Sequence, residues 1–149
     1  MKEFTDSTGK IWKISITIGS IMRVKSKLGI DLLQIEQGQP PLISRLWQEE
    51  LMMAEILACL MGEQLGEKSD AEIYEAFDGA TLIKATNAFY EELSDFFRKS
   101  ARTERAEIVD KQRELVKKGI AMLTEQVQKI DTTEMLSGIL SGDVPDKLE

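Results

Sequence analysis

Histidine is absent from the 149 residues of this chain, and cysteine occurs only once. Without imidazole the chain has no histidine base for a serine or cysteine nucleophile, and no histidine ligand for a metal. A single cysteine cannot form an internal disulfide, which is typical of a protein of the reducing cytosol. Cys59 stands among leucines and methionines, so we interpret it as a small buried hydrophobic residue.

The chain also lacks long apolar runs. None approaches the roughly 20 residues that a helix needs to cross a bilayer. The first residues do not have the basic-then-apolar layout of a secretory signal. An apolar content of 42% and a charged content of 30% are those of a globular protein, and the length is that of one domain. We therefore expect a soluble, cytoplasmic, single-domain protein with no membrane partner.

Motifs of catalysis and of ligand binding are missing as well. The acidic pairs Glu49-Glu50 and Glu91-Glu92 are adjacent, so on a helix their side chains point about 100° apart and do not converge on one substrate atom. Gly62 has neither the preceding strand nor the following lysine of a phosphate-binding loop. No acidic run has the spacing of a calcium loop. The sequence thus predicts a protein that is not an enzyme and uses no metal or cofactor.

Charge is distributed unevenly along the chain, whose net charge is −7. Residues 1–27 and 98–118 each carry +4, whereas residues 28–97 carry −11 and residues 119–149 carry −4. A nucleic acid would be repelled by the whole, and no aromatic side chains interleave the basic residues of 98–118 to stack on bases. We therefore expect no nucleic-acid partner and interpret the basic segments as folded against the acidic centre.

The beginning of the chain predicts a β-hairpin and a short helix. Turn-forming residues occupy 6–9, and apolar and polar side chains alternate from Lys13 onward, which indicates two strands within residues 3–17. Ser20 is the expected N-cap of the helix that follows, and Gly29 is its expected end.

Further helices are predicted along the rest of the chain. After the glycine–proline break at 38–41, residues 44–65 predict a strongly apolar helix that is central to the core. A capping box begins at Ser69, and Thr81 is the expected cap of the next helix. The last predicted helix is long and covers 103–129. The fold class is therefore mainly α (α+β), an N-terminal β-hairpin followed by a bundle of five to six helices.

Three segments follow from this pattern. A core domain is expected over residues 1–100, a long amphipathic helix over 101–130, and a flexible acidic tail over 131–149. Methionine side chains adapt to helical partners, so a cluster near the strongest helix is a candidate binding surface, although the same residues could equally fill the core. The cluster comprises Trp47, Met52, Met53 and Met61.

The last helix carries a second candidate surface. Apolar residues recur on the a and d positions of about three heptads, interrupted by Arg113 at one core position. This seam either packs on the protein's own body or pairs with another copy or another protein. The second case gives an alternative function, a structural or regulatory protein that dimerises through this helix. The residues of the seam offered as a binding surface are Val109, Val116, Ile120, Leu123 and Val127.

Several blocks of sequence follow one another in a recognisable order: 4–12 (FTDSTGKIW) with 15–17 (SIT), 21–25 (IMRVK), 28–33 (LGIDLL), 69–74 (SDAEIY), and 85–97, which ends in EELSDFF. Taken in this order, they resemble the tail assembly chaperones of long-tailed bacteriophages and prophages. The resemblance covers about residues 4–97, and the last helix and the tail are the least similar parts.

Membership of this family implies a role without catalysis. Such chaperones bind the long, coiled tape-measure protein and help to bring tail-tube subunits to it, and they are absent from the finished virion. The resemblance therefore implies the tape-measure protein and the tail-tube protein as partners, in the cytoplasm of a bacterial host. An acidic helical surface could protect a long hydrophobic helix from aggregation until assembly.

Overall fold

The computed structural model describes residues 1–61 and 70–129 of the chain. In this part of the chain an antiparallel hairpin is followed by six helices, as the sequence predicts. None of the described helices is long and apolar enough to cross a membrane. The elements are β1 (Lys2–Thr5), β2 (Ile11–Ile14), α1 (Ile18–Leu28), α2 (Leu42–Gln48), α3 (Glu50–Met61), α4 (Asp70–Ala76), α5 (Gly79–Lys99) and α6 (Thr103–Lys129).

The hairpin has one buried and one exposed face. Phe4 pairs with Trp12 across the two strands, and both side chains are buried, as is Ile14 two residues further on. The intervening side chains of Glu3 and Lys13 are exposed. A two-stranded sheet is marginal alone in water, but here β1 packs along α5 and β2 contacts α3, which covers its apolar face.

Two helices begin three residues earlier than the sequence predicts. The cap of α1 is Thr17, not Ser20: Ser20 is the third helical residue, its amide donates to Thr17 Oγ1 (3.1 Å), and its hydroxyl accepts from the Thr17 amide (2.8 Å). The cap of α5 is Asp78, not Thr81, whose amide donates to Asp78 Oδ1 (2.8 Å). In both cases the predicted cap is the residue whose amide is capped. Gly29 ends α1 as predicted, with φ +70°.

The single apolar helix predicted over residues 44–65 is two helices. The backbone of Glu49 (φ −104°, ψ 86°) leaves the helical region and separates α2 from α3. No glycine or proline marks this break in the sequence. The later part of the prediction, residues 62–65, lies outside the described residues. Its central position in the core is correct, because α3 contacts α1, α2, α4, α5 and β2.

The first compact unit of the fold extends from Met1 to Glu114, further than the predicted boundary at residue 100. Its extra residues are the first turns of α6, whose Ala106 and Val109 are buried among the other core side chains. The second unit begins at Leu115 and contains the remainder of α6. The acidic tail predicted over 131–149 lies outside the described residues.

Ion pairs join the basic flanks of the sequence to its acidic centre, as the charge distribution predicts. Lys2 Nζ lies 3.9 Å from Glu91 Oε2 and 3.7 Å from Asp95 Oδ2, and an Arg113 guanidinium nitrogen contacts Glu91 from the other side. Another arginine of α6, Arg105, lies 3.2 Å from Glu36. These pairs are partly exposed and therefore stabilise the fold only modestly.

Tyr90 carries a buried hydroxyl that has no hydrogen-bond partner in the part of the chain that the structure describes. Its side chain is 1% exposed, and burial raises the pKa of the phenol, so the group stays neutral. An unpaired hydroxyl that has lost its hydration costs roughly 1–3 kcal/mol.

We expect Tyr90→Phe to raise the free energy of unfolding by about 1 kcal/mol, because it removes the unpaired group and keeps the ring. Urea denaturation followed by circular dichroism should show a higher midpoint at an unchanged m-value. A lower midpoint would mean that the hydroxyl makes a stabilising bond.

Candidate functional site

Two buried carboxylates, Asp6 and Glu92, are the first groups to consider for chemistry, and both have structural partners. Asp6 Oδ1 accepts bonds from the amides of Thr8 (2.8 Å) and Lys10 (3.0 Å), and Asp6 Oδ2 accepts from Trp12 Nε1 (2.8 Å). Glu92 accepts from the amide of Ile16 (3.3 Å). Each carboxylate thus holds backbone in place, and neither lines the concave surfaces described below.

The described residues hold no group of three or more cysteine, aspartate and glutamate side chains that could bind a metal ion. Cys59, which the sequence predicts to be buried, is half-buried on α3. It lines a concave surface of the first unit, where an external ligand could be held.

This surface is a groove beside α3, with a volume of about 560 Å³. We call it the α3 groove. Apolar side chains from the end of α1, from α3, from the start of α5 and from the segment between α4 and α5 form most of it, and charged and polar side chains line it as well. The lining residues are Lys27, Leu28, Glu50, Leu51, Ala54, Glu55, Cys59, Tyr74, Phe77 and Leu82.

Two further depressions continue the α3 groove. One, of about 740 Å³, shares Leu28, Leu51 and both acidic lining residues with it and reaches Met52. The other, of about 210 Å³, shares Glu50 and Leu82 and reaches Trp47 and Ile83. Because they share these side chains, the three depressions form one concave face across the first two turns of α3.

Leu51 lies on this face and is 81% exposed, the highest exposed fraction of the large hydrophobic side chains described. Tyr74 and Ile83 are also substantially exposed. Single exposed hydrophobic residues are ordinary, but several that line one concave face mark an interaction surface. The face therefore has the chemistry of a protein-binding groove.

The edge of the α3 groove is mainly acidic. Glu49, Glu50 and Glu55 are exposed, and in the described part of the chain none of their carboxylates forms an ion pair or accepts a hydrogen bond. Lys27 is the basic side chain among the lining residues. A ligand seated here would meet more negative than positive charge among the described side chains.

The predicted methionine and tryptophan cluster is divided by the structure. Trp47 and Met52 are half-buried and line the depressions beside the α3 groove. Met53 and Met61 are buried in the core, and Met53 also lines the depression that reaches Trp47. Their assignment to a binding surface stays a prediction.

The predicted seam of α6 is used by the protein itself where it can be examined. Val109 is fully buried in the core, so at this position the seam packs on the protein's own body, and its role in binding a partner stays a prediction. Arg113, at the interrupting position, donates from Nε to Asn87 Oδ1 (2.7 Å) and pairs with Glu91, both on α5. Val116 is half-buried. The side chains of Ile120, Leu123 and Val127 lie outside the described part of the chain.

Sequence reasoning named none of the ten lining residues of the α3 groove as a binding residue, Leu51 and the acidic Glu50 and Glu55 among them. Leu51 was expected in the core because it belongs to an apolar helix. One signal was present: Glu55 follows it by four residues and therefore shares its side of the helix. A leucine that shares a helix side with an acidic residue is expected to face solvent, and Leu51 is indeed 81% exposed.

Comparison with known proteins gives no match: no protein-family model, no curated protein and no solved structure is significantly similar to the chain. Function must be inferred from the groove, from the residues around it and from the order of the sequence blocks.

Proposed function

We propose that this chain is a phage tail assembly chaperone, a protein without catalytic activity that binds the tape-measure protein and assists the recruitment of tail-tube subunits. It would act in the cytoplasm of a bacterial host. The observation that carries the proposal is the α3 groove, whose exposed apolar centre and acidic edge suit a helical segment of another protein.

The sequence blocks that resemble the chaperone family support the proposal by their positions. They fall on the hairpin, α1, α4 and α5, and each of these elements contacts α3. The resemblance therefore concerns the framework that surrounds the groove. It ends before α6 begins.

The physical role of such a groove follows from the nature of the partner. A long helical protein with unsatisfied apolar stripes aggregates while it waits for its final neighbours. A small acidic protein that covers part of a stripe lowers the exposed apolar area and adds negative charge, and both effects oppose aggregation.

Co-expression tests the proposal. The tape-measure protein from the same genome, produced together with this chain, is expected to remain in the soluble fraction and to co-purify with it. An unrelated coiled-coil protein of similar length serves as the control and should gain no solubility. If the tape-measure protein stays equally insoluble and does not co-purify, the proposal is wrong.

A further inference from the structure

We infer that the α3 groove binds an amphipathic helix that carries lysine or arginine beside its apolar stripe. The inference rests on the proposed function and deepens it, because it names the surface of this chain and the chemistry of the segment that the surface takes. Two observations carry it: the exposed apolar side chains of the groove and the acidic side chains that line the same concave face.

The centre of the groove fits the apolar stripe of a helix. Leu51 is 81% exposed, and both it and Leu28 line the α3 groove and the depression of about 740 Å³. Leu82 lines the α3 groove and the depression of about 210 Å³. An amphipathic helix presents apolar side chains at i, i+3, i+4 and i+7, so successive apolar side chains of a bound helix would enter neighbouring depressions. Burial of a leucine-sized side chain in each contributes roughly 1.5–3 kcal/mol to binding.

The edge of the groove selects the charge of the partner. No basic side chain among the described residues pairs with Glu49, Glu50 or Glu55. Lysine or arginine side chains beside the apolar stripe of a bound helix could therefore form ion pairs with them. Complementary charges at the rim of an interface speed association and exclude helices of the wrong sign. An acidic helix would bring like charges together.

Other occupants fit less well. A second copy that used the same face in a two-fold pair would place this acidic edge against itself. A small-molecule site needs a few convergent polar groups inside an enclosed cavity, whereas this groove is open and lined mostly by apolar side chains. The observations favour a helix of opposite charge.

Fluorescence anisotropy with a synthetic peptide tests the inference on the full chain. The labelled probe is a helical peptide of about 20 residues with leucine at i, i+3, i+4 and i+7 and lysine beside the stripe; its twin carries glutamate in place of lysine. We expect the lysine peptide to bind at least about tenfold more tightly than the glutamate peptide, with an affinity that falls as salt rises.

Matched variants locate the binding surface. Leu51→Asn should weaken binding of the lysine peptide about tenfold or more, because it removes a leucine side chain that the bound peptide would bury. The control Met22→Asn changes a side chain that is 64% exposed on α1 and lines none of the three depressions, and it should leave binding unchanged. The pair Glu50→Gln and Glu55→Gln should weaken binding and flatten its salt dependence, whereas the exposed pair Glu3→Gln and Glu107→Gln should not.

Each other outcome overturns a stated part. Equal binding by Leu51→Asn and Met22→Asn excludes the groove as the binding surface. Equal binding of the two peptides excludes selection by charge. If light scattering shows a dimer that Leu51→Asn abolishes, the occupant is a second copy of the chain.

Co-purification separates this inference from the proposed function. If the tape-measure protein co-purifies equally with the wild type and Leu51→Asn, the groove inference fails alone. If it never co-purifies although the peptide binds through Leu51, the proposed function fails alone.

Discussion

Val109→Asp is expected to lower the free energy of unfolding by about 3–5 kcal/mol, the largest effect of any single change considered, because it places an uncompensated charge in the core. Val109 is 0% exposed and packs in the cluster that joins the first turns of α6 to the rest of the first unit. Urea denaturation followed by tryptophan fluorescence measures the loss. Val109→Ala, which keeps the site apolar, should cost about 2 kcal/mol and provides a value if the aspartate variant does not fold.

The matched control is Leu115→Asp on the same helix. Leu115 is 64% exposed, so its replacement loses little buried area and should cost less than about 1 kcal/mol, mostly through helix propensity. Were the first part of the predicted seam reserved for another molecule, the two aspartate variants would unfold at similar urea concentrations. That result would contradict the placement of Val109 in the core.

The heptad pattern of α6 shows what periodicity can and cannot predict. It gives the bounds of the helix, and the predicted range 103–129 matches the observed Thr103–Lys129. It cannot identify the surface against which the apolar side packs, because a stripe at this spacing serves a core and a partner equally well. Arg113 was the clue to the packing partner, because an arginine within an apolar seam needs a carboxylate. It pairs with Glu91 on α5.

Helix starts were predicted three residues late for a definite physical reason. A hydroxyl or carboxylate at the N-cap bonds to the amide of the third helical residue, and that residue is often itself a serine or threonine. Thr17 with Ser20, and Asp78 with Thr81, are such pairs. Sequence alone offers two candidates of similar propensity, and only the extended backbone of the earlier residue decides between them.

The sequence of α3 gives only one sign of the α3 groove, the acidic Glu55 four residues after Leu51. This helix is apolar on nearly every side, so no periodicity distinguishes Leu51, which faces solvent, from Met53, which faces the core. The distinction is made by the helices that cover one side of α3 and leave the other open. Long-range packing of this kind has no local signature, whereas the hairpin, with its period-two alternation and its turn residues, has a strong one.

The hairpin turn gives the second large effect. Asp6→Asn is expected to lower the free energy of unfolding by about 2–3 kcal/mol at neutral pH. Asp6 Oδ1 accepts three bonds from Thr8 and Lys10, and its Oδ2 accepts the indole N–H of Trp12. An asparagine whose oxygen keeps the first three bonds must turn its amino group toward that buried indole, so two donors would face each other. Urea denaturation followed by circular dichroism measures the change.

The pH dependence of this effect has a definite sign. The hydroxyl of Thr8 is the largest influence, and with the bonds from Trp12 and the two backbone amides it outweighs burial and holds the pKa of Asp6 at about 2, below its ordinary value of 3.8. A lowered carboxyl pKa stabilises the fold above the unfolded-state value and loses that contribution as the pH falls. The stability difference between wild type and Asp6→Asn should therefore be constant above about pH 5 and shrink between about pH 4 and pH 2.

The control is Asp95→Asn, which alters a half-exposed carboxylate whose Oδ2 lies 3.7 Å from Lys2 Nζ. It should lower the free energy of unfolding by less than about 1 kcal/mol. A difference for Asp6→Asn that stays constant down to pH 2 would show that steric fit, and not the ionised carboxylate, stabilises the turn.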